Sequence, residues 1–501
     1  MIYIDPPYNT GNDFVYHDDF HRSQAEEDLE AGNVDELGNR FVKNTETNGK
    51  FHSDWCSMIY SRVAIARSLL TDEGVIFVSI DDNEVDNLKK ILNEVFGESN
   101  FIASFIIVRS EGGGLAKRAV VGHDYLLAYA KDINVCKPLG RPKDIRGKIV
   151  NLKGEDYWIE TDWFREVFGK YGTCHYEDIL DFYNQSKKDE IDEGLKEGKY
   201  VLIPRDGKHI VGRYRKVADD TSKFYTINKH LNKNGVAELK EIEMDKDFDY
   251  PKPTSLIKDF VLGATIHSKN AGDIIMDFFS GSATTADAVM QLNAEDGGNR
   301  RFLLVQLPEP IGKESQAFKD GYNTICDVGE ERIRRAGKKI QDELKAKQPD
   351  LFNNENSQPL DTGFRVFRID SSNMKDVYFA PKDLDPKQLD LFADNVKEDR
   401  TGLDLLYGCM VDWGVQLSLP LTTETIDSVT VYTVNDGDLV ACFGKPITDK
   451  VVKAMADKAP LRVLFRDSCF EKDEQKINIF EQFKQLLGWS DDEALNNIRV
   501  I

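Results

Sequence analysis

The sequence lacks most of the features that would assign it at once to a common class of protein. Its longest apolar runs, at Val75–Ile80 and Phe101–Val108, have the length of β-strands, so we predict no membrane-spanning helix. The seven cysteines are scattered and form no Cys-x-x-Cys pair, which gives no zinc signature and indicates a reducing, cytoplasmic setting. No glycine-rich loop ends in Gly-Lys-Ser/Thr, and the glycine spacing of a dinucleotide-binding fold is absent too.

Basic residues are the minority among the charged ones. The 501 residues include 87 Asp and Glu against 65 Lys and Arg, a formal net charge of −22. This surplus argues against a general nucleic-acid coat protein, although it leaves room for a locally basic groove. Hydrophobic residues make up 41% of the chain, enough to bury a sizeable core, and the length predicts roughly three or four domains.

Apolar strands alternate with amphipathic helices in two stretches, up to about residue 130 and again from about 254 to 344. The predicted strands are 1–4, 75–80, 101–108, 125–130, 273–279 and 301–307, and the predicted helices are 53–70, 84–96, 254–262, 284–292 and 327–344. Such alternation is typical of a mainly parallel α/β sheet. Ser53 is a candidate N-cap. The last helix has a basic face that we expect to be solvated, with contact to phosphates as the alternative; its residues are Arg332, Arg334, Arg335, Lys338 and Lys339.

The stretch between these two has a different character. Its apolar periodicity weakens, and Lys and Arg outnumber Asp and Glu from 137 to 233, as phosphate contacts need. A solvated insertion is an equal alternative on charge alone. Beyond the second α/β stretch, a polar linker is predicted over 346–362, followed by a small α+β region with a hairpin around 435–438.

The first chemical motif is Asp5-Pro6-Pro7-Tyr8, directly after an apolar strand. Ligands of open α/β sheets bind outside the carboxyl ends of strands, so the motif lies where a site is expected. The two prolines remove two backbone donors and leave the Asp5 carboxylate and the Pro6 carbonyl as rigid acceptors suited to an –NH2 group. Tyr8 adds a flat face on which a base can stack. An ordinary strand-to-turn exit is the alternative for this tetrapeptide taken alone.

The second motif is Asp277-Phe278-Phe279-Ser280-Gly281-Ser282, which ends a predicted strand and leads into an apolar helix. Gly281 allows the backbone to approach a ligand closely, and the helix N-terminus favours a carboxylate or a phosphate. With only one glycine, this segment by itself is a weak indication of a cofactor site.

Together the two motifs resemble those of the β-group amino-methyltransferases. In that group the Asp-Pro-Pro-Tyr segment precedes the Phe-x-Gly segment, a target-recognition region lies between them, and a Lys-Pro segment comes just before the second motif. The order is the same here, with Tyr250-Pro251-Lys252-Pro253 in the Lys-Pro position. More narrowly, the stretches 1–16, 53–84, 302–310 and 411–463 resemble the modification (Mod) subunits of type III restriction-modification systems.

The resemblance implies a role for each motif residue. Asp5 and Pro6 would hold the target amine. Pro7 would shape the turn, and Tyr8 would stack on a flipped base. The residues that would bind the cofactor, S-adenosyl-L-methionine, are Asp277, Phe278, Phe279, Ser280, Gly281, Lys252, Pro253 and Gln306.

Two positions depart from the family pattern. Gln306, with Glu309 close behind, stands where the family usually has an acid for the ribose hydroxyls. Ala283 replaces a second glycine, and we expect this change to be tolerated if the residue has a negative φ.

The implied fold is a Rossmann-like S-adenosylmethionine-dependent methyltransferase sheet with an inserted target-recognition region and a small α+β C-terminal domain. The expected parts are a catalytic half at 1–136, a target-recognition region at 137–247, a cofactor-binding half at 248–345, a linker at 346–362 and an assembly domain at 363–501. An aspartate opening the first motif resembles the adenine-N6 members. The implied activity is therefore methylation of adenine N6 in a specific DNA sequence, without a metal.

The implied partners are double-stranded DNA, a second copy of the chain and a helicase-nuclease restriction subunit, with no membrane association. Two alternatives stay open: a solitary DNA adenine methyltransferase without a nuclease partner, and a DNA-binding specificity subunit whose catalytic site is incomplete. Met1 lies inside the strand that carries the first motif, whereas the family has a sizeable region before it. The resemblance therefore implies an N-terminally truncated Mod protein with weak activity, or none, on its own.

Overall fold

A mixed β-sheet forms the centre of the larger of two structural units, Met1–Gly363; the other unit is Phe364–Ile501. The computed structural model of the chain describes residues 1–11, 14–17, 40–43, 50–112, 119–143, 145, 147–152, 154–167, 172–217, 220–268, 271–347, 360–375, 395–470 and 472–501. Within these ranges, no helix is both long and apolar enough to cross a membrane.

The elements of the first unit are mostly short. Its described strands are β1 (Ile2–Ile4), β2 (Phe14–His17), β3 (Arg40–Lys43), β4 (Val75–Ile80), β5 (Phe101–Val108), β6 (His123–Ala130), β7 (Gly140–Pro142), β8 (Ile149–Leu152), β9 (Glu155–Glu160), β10 (Tyr200–Arg205), β11 (Lys208–Lys216), β12 (Thr221–Lys223), β13 (Ile227–Lys229), β14 (Ile274–Asp277) and β15 (Arg301–Leu304). Its described helices are α1 (Phe51–Leu69), α2 (Val85–Phe96), α3 (Ile179–Phe182), α4 (Gln185–Lys196), α5 (Asn232–Glu241), α6 (Thr254–Thr265), α7 (Thr284–Asp296), α8 (Gln316–Lys319) and α9 (Ile325–Lys347).

Seven of the described strands form the main sheet, in the order β13-β5-β6-β4-β1-β14-β15. Strand β1 runs parallel to both neighbours, and among the seven only β6 is antiparallel to the strands beside it. The sheet is therefore mainly parallel, which confirms the predicted α/β class. The pairing of β1 with β4 aligns Ile2 with Ile76 and Ile4 with Val78.

Helices cover both faces of the main sheet. On one face, α1 and α2 bury Trp55 and Leu92 against Ile4, and on the other, α6 packs Phe260 against Phe77 with ring centroids 5.2 Å apart. Because both faces are covered, every residue of β4 is buried, which explains its continuous apolar sequence. The predicted cap at Ser53 is wrong: α1 begins at Phe51, and the Ser53 hydroxyl donates to a backbone carbonyl.

A second sheet lies within the predicted insertion. It is antiparallel, with the order β10-β11-β9-β8. A separate short pair is formed by β7, which precedes these strands in the sequence, and β12, which follows them. The main sheet resumes at β13, well before the predicted boundary at 247, and Leu239 of α5 shares a hydrophobic cluster with Val328 of α9. The boundary was missed because β13 has the sequence Ile-Asn-Lys, a short edge strand without an apolar run.

Part of the positive charge in the insertion is used internally. Two acids, Glu160 and Asp220, are buried there. Arg213 donates to Glu160 at 2.5 Å, Arg215 donates to Asp220 at 2.6 Å, and the Lys143 ammonium lies 3.2 Å from Asp220. Buried charges need such partners, so these three cations stabilise the insertion rather than form a free basic surface.

The second unit is a small α+β structure, as predicted. Its described strands form one sheet, in spatial order β16 (Leu421–Ile426), β17 (Val429–Val434), β18 (Leu439–Cys442), β19 (Val463–Phe465) and β20 (Ile498–Val500). Its described helices are α10 (Gly402–Asp412), α11 (Asp449–Ala456), α12 (Asp473–Leu487) and α13 (Asp491–Asn497). Strands β17 and β18 form the predicted hairpin, and capping boxes begin α10 and α13.

Candidate active site

Two adjacent parallel strands, β1 and β14, end at the same edge of the main sheet. Their register pairs Ile2 with Met276, and the Met276 N–H donates to the Met1 carbonyl at 2.9 Å. A motif begins where each strand ends, since Asp5 follows β1 and Asp277 is the last residue of β14. The pairing therefore brings together two motifs that are far apart in the sequence.

The turn of the first motif is held from behind by α1 and by the segment before α2. The buried Trp55 indole N–H donates to the Pro7 carbonyl at 2.7 Å. The Asn9 side-chain amide donates at 2.6 Å to Glu84, a buried carboxylate that also accepts from Asn87. Asn9 has a left-handed φ of 60°, which Asn tolerates better than most residues.

At the front of the turn, two motif side chains meet a lysine from a distant segment. The Tyr8 hydroxyl donates to Asp5 Oδ1 at 2.8 Å, and the Lys252 ammonium donates to the Tyr8 oxygen at 2.6 Å. Lys252 Nζ also donates to Asp124 Oδ2 at 3.2 Å and lies 3.5 Å from Asp5 Oδ1. Lys252 was predicted to close the cofactor pocket, yet these contacts place it on the first motif. Pro253 is buried and precedes α6.

The ionisation of Asp5 is set by opposing influences. Desolvation raises the pKa of its carboxyl above the usual 3.8, because burial disfavours the charged form. The Lys252 ammonium is the strongest opposing influence, and the hydrogen bond from Tyr8 lowers the pKa as well, whereas the charge of Asp124 raises it. The carboxylate form of Asp5 therefore depends on Lys252 and Tyr8.

Asp277, which opens the second motif, points into the protein and is 3% exposed. Its oxygens accept hydrogen bonds from the Phe279 N–H at 3.1 Å and from the Thr285 hydroxyl at 2.6 Å. Desolvation raises its pKa from 3.8 to about 7, the two hydrogen bonds oppose that shift, and the charge of Asp5 adds to it. Asp277 thus holds the turn that leads into α7.

The loop after Asp277 has free space beside Gly281. Gly281 has a φ of 49°, and a Cβ added there would lie 3.4 Å from the Phe248 ring, an ordinary contact. The Gly281 N–H donates to Gln306 Oε1 at 2.8 Å. Gln306, the predicted ribose ligand, therefore uses its carbonyl oxygen to hold this loop, and its Nε2 donates to the Leu307 carbonyl at 3.3 Å.

Alanine in place of glycine at position 283 was expected to be tolerated if φ there is negative, and the structure does not meet that condition. The φ of Ala283 is +61°, in the left-handed region, where the residue stands as the N-cap of α7. A Cβ in that conformation costs roughly 1–2 kcal/mol. The turn between Gly281 and α7 therefore demands a glycine-like backbone that the local sequence did not reveal.

A buried arginine holds the same loop from the far side. Arg332 of α9 is completely buried and pairs with Asp287 of α7, with 3.1 Å between Nη2 and Oδ2. Its Nη1 donates to the hydroxyls of Ser282 and Thr284 at 3.0 and 2.7 Å. The prediction that Arg332 belongs to a solvated basic face is wrong. The sequence signal for burial was that Arg332 lies four residues before Ala336, on the apolar face of the same helix.

Several other site residues were missed as well. Asp124 is a single acid at the start of an otherwise apolar strand, which is a detectable signal, and Asn9 directly follows the first motif. Trp55 and Glu84 were predicted only as parts of helices, without a role in the site. Their contacts with Pro7 and Asn9 depend on the packing of α1 and α2, which the sequence pattern does not specify.

The residues around the two motifs fit the cofactor implied by the resemblance. Asp277 is held by neutral donors in a buried position, so a sulfonium or ammonium cation nearby would stabilise its charged form. Phe278 and Phe279 provide apolar surface beside it, and the missing Cβ of Gly281 leaves space in front of the loop. The N-terminus of α7 favours a carboxylate. In the part of the chain that the structure describes, no cluster of metal-ligating side chains is present.

Comparison with known proteins identifies the family. The family model described as DNA methylase matches residues 1–337, which include both motifs, the insertion and most of α9. The chain therefore belongs to the DNA methylase family. Its main sheet has the Rossmann-like arrangement predicted for such a methyltransferase, with the two motifs at the carboxyl ends of neighbouring strands.

Among curated proteins, the chain is similar to type III Mod subunits. It is 33% identical to the StyLTI Mod subunit of Salmonella typhimurium over 70% of this chain and 55% of that protein. It is 30% identical to the EcoP15I Mod subunit of Escherichia coli over 95% of this chain and 78% of that protein. It is also 29% identical to the type II methyltransferase M.KpnI of Klebsiella pneumoniae, over 66% and 81% of the two chains. The chain thus spans little more than half the length of the first of these relatives.

The raised pKa of Asp277 predicts a pH-dependent loss of stability. The unfolded carboxyl titrates near 3.8 and the folded one near 7, so its contribution is most favourable below pH 3.8, weakens up to pH 7 and is constant above that. We expect Asp277→Asn to raise the free energy of unfolding at pH 8 by about 1–3 kcal/mol and to flatten its change between pH 4 and 7. Urea unfolding at several pH values measures this.

Asp287→Asn is the matched control for this prediction, because Asp287 lies on α7 and is buried but paired with Arg332. Removing one partner of a buried ion pair should destabilise the protein at pH 8 by about 3 kcal/mol or more. Equal losses of stability in the two variants would contradict the assignment of Asp277 as an electrostatically unfavourable buried acid.

The left-handed backbone at Ala283 predicts that glycine is accepted there without cost. Ala283→Gly relieves the strained φ but loses a buried methyl group, so we expect a change between zero and about 1 kcal/mol of added stability. Ala286→Gly, three residues on and inside α7, should instead cost about 1 kcal/mol or more. Thermal melts of both variants measure the difference, and a loss of stability by Ala283→Gly as large as that by Ala286→Gly would contradict a strained φ at Ala283.

Proposed function

We propose that this chain transfers a methyl group from S-adenosyl-L-methionine to N6 of adenine in a specific DNA sequence, as the modification subunit of a type III restriction-modification system. The observation that carries the proposal is the meeting of Asp5 and the loop from Asp277 to Ala283 at the ends of two adjacent parallel strands. The printed names of the relatives support it, since two are type III Mod subunits.

The first motif supplies the acceptors for the target amine. Asp5 Oδ1 already accepts from Tyr8, so Oδ2 and the Pro6 carbonyl are the oxygens that receive the two amine hydrogens. Accepting both hydrogens favours a pyramidal nitrogen whose lone pair points at the methyl group. When bound, S-adenosylmethionine supplies a methyl group already activated on a sulfonium, so positioning by the protein carries much of the barrier reduction.

Asp5 also serves as the base for the amine. The nitrogen gains a positive charge as it forms the new bond, and it must then release a proton. The raised pKa of Asp5 makes this carboxylate a stronger base than an exposed one, and its Oδ2 lies beside the nitrogen in the proposed arrangement. Proton transfer to Asp5 Oδ2 leaves a neutral methylated amine.

Tyr8 holds the ring of the base. Its hydroxyl is fixed between Asp5 and Lys252, so the ring has little freedom before the base arrives. A base must leave the duplex to reach this site, at a cost of a few kcal/mol that stacking and edge contacts offset. Stacking on an aromatic side chain contributes roughly 1–3 kcal/mol per base.

We assign sequence recognition to the insertion from 137 to about 224, where the main sheet is about to resume, and assembly to the unit Phe364–Ile501. The proposed partners are double-stranded DNA, a second copy of the chain and a helicase-nuclease subunit in the cytoplasm.

A second candidate function is methylation without a nuclease partner, and the similarity to the type II methyltransferase M.KpnI favours it. A gene for a large helicase-nuclease next to the gene for this chain would favour the type III modification subunit over the solitary methyltransferase.

The central experiment is methylome sequencing of a host that lacks adenine methylation and expresses the chain. We expect N6-methyladenine at one sequence motif, and its loss by at least about 100-fold for Asp5→Ala, because general base and amine acceptor are removed together. Asp72→Ala, a surface acid whose side chain is 83% exposed, is the control and should leave methylation unchanged. Equilibrium dialysis with S-adenosylmethionine should show similar binding by all three proteins. Normal methylation by Asp5→Ala would refute the assignment.

If the insertion recognises the DNA sequence, it should be exchangeable without loss of the methylation chemistry. Because β13 already belongs to the main sheet, an exchange should span only the segment from 137 to about 224, from just before β7 to just after β12. Replacing it with the matching segment of a relative should change the methylated sequence and leave methylation of adenine N6 intact. If the chimera is active on the original sequence, recognition lies elsewhere.

A further inference from the structure

The Lys252 ammonium lies closer to Tyr8 and Asp124 than to Asp5. The ammonium lies 2.6 Å from the Tyr8 oxygen and 3.2 Å from Asp124 Oδ2, but 3.5 Å from Asp5 Oδ1. A charge-assisted hydrogen bond between an ammonium and a carboxylate is about 2.7–2.9 Å long. Lys252 therefore approaches Asp5 without forming a direct hydrogen bond with it.

Asp124 is built into the site as a second carboxylate. It is 3% exposed and is the second residue of the antiparallel strand β6. The residue after it, Tyr125, pairs with Ile80 at the end of β4. This register places Asp124 at the sheet edge where β1 and β14 end. Its Oδ1 lies 2.8 Å from Arg109 Nη1, an ion-pair contact rather than an aligned hydrogen bond. Both oxygens of Asp124 thus face a cation, and its position is set by backbone pairing.

Lys252 and a target amine would compete for the same carboxylate, that of Asp5. Asp5 Oδ1 already receives the Tyr8 hydroxyl, which leaves Oδ2 for the amine. An ammonium in a partly desolvated site prefers a direct pair with a carboxylate, because attraction between opposite charges strengthens where water is excluded. Without another carboxylate to hold it, Lys252 would close the short gap to Asp5 Oδ1. A direct ion pair there would lower the basicity of the carboxylate that the amine needs as acceptor and base.

We propose that Asp124 is a positioning residue for the amine site, which holds the Lys252 ammonium on Tyr8 and away from a direct ion pair with Asp5. Lys252 then supports the charge of Asp5 from 3.5 Å while the second oxygen stays open to the amine. Arg109 balances the charge of Asp124 on its other side. This inference rests on the proposed function, because it concerns the acceptor that the methylation step uses.

A crystal structure of Asp124→Asn tests the geometry without any measurement of activity. Asparagine has nearly the same shape but no charge, so the ammonium should leave it for the remaining carboxylate. We expect the separation of Lys252 Nζ from the nearer Asp5 oxygen to shorten from 3.5 Å to about 2.8 Å. An unchanged position of Lys252 would overturn the proposal.

Single-turnover methyl transfer from tritiated S-adenosylmethionine to unmethylated bacterial DNA tests the consequence. Asp124→Asn should lower the rate by about 10-fold or more. Adding Lys252→Met to that variant should restore part of the lost rate at pH 8, where the Asp5 carboxyl ionises without help from the ammonium, because it removes the direct ion pair with Asp5. A merely structural role for Asp124 predicts the reverse order, with the double variant slower than the single one, and that result would overturn the proposal.

Asp296→Asn is the matched control, since it weakens an ion pair with the buried Arg300 at the far end of α7, away from both motifs. Its rate should stay within about 2-fold of the unmodified protein even if its stability falls. If the unmodified protein transfers no methyl group to any adenine, the proposed function fails. The distance between Lys252 and Asp5 in the Asp124→Asn crystal then decides the positioning role by itself.

Discussion

The parallel pairing of β1 with β4 on one side and β14 on the other is the constraint on which the site depends. It aligns Ile2 with Ile76 and with Met276, so the chain leaves β1 and β14 at the same edge and at the same level. The acceptors of the first turn and the loop that leads into α7 then lie at one edge of the sheet. Burial of β1 on both faces makes this register costly to change, because a shift by one residue would turn Ile2 and Ile4 to the opposite face.

Within the part of the chain that the structure describes, the site contains more acids than cations. Asp5, Asp124 and Asp277 lie at one sheet edge, and the two cations that contact them, Lys252 and Arg109, serve the first two. Asp277 is held by uncharged donors, and no cation among the described residues pairs with it, so burial raises its pKa. A ligand that carries a positive charge would relieve this imbalance, so stability is lower at a place where a cationic cofactor would bind.

Much of the fold follows from local pattern. The continuous apolar run of β4 and the helical periodicity of α2 predicted those elements closely, and the strand that leads into two prolines predicted the position of the first turn. The order of the motifs along the chain also predicted the family. These inferences succeed because each depends on residues that are neighbours in the sequence or share one face of one element.

The tertiary structure alone decided which distant residues meet. Lys252 was assigned to the cofactor side, but its ammonium contacts Tyr8 and Asp124, which come from two other strand ends. Arg332 was expected in solvent and is buried against α7, and Ala283 adopts a positive φ that its neighbours in sequence do not announce. Side-chain type and periodicity determined what each element is and where the acceptors lie. Charge pairing and backbone strain depend on how the elements pack, and packing is a property of the whole sheet and its helices.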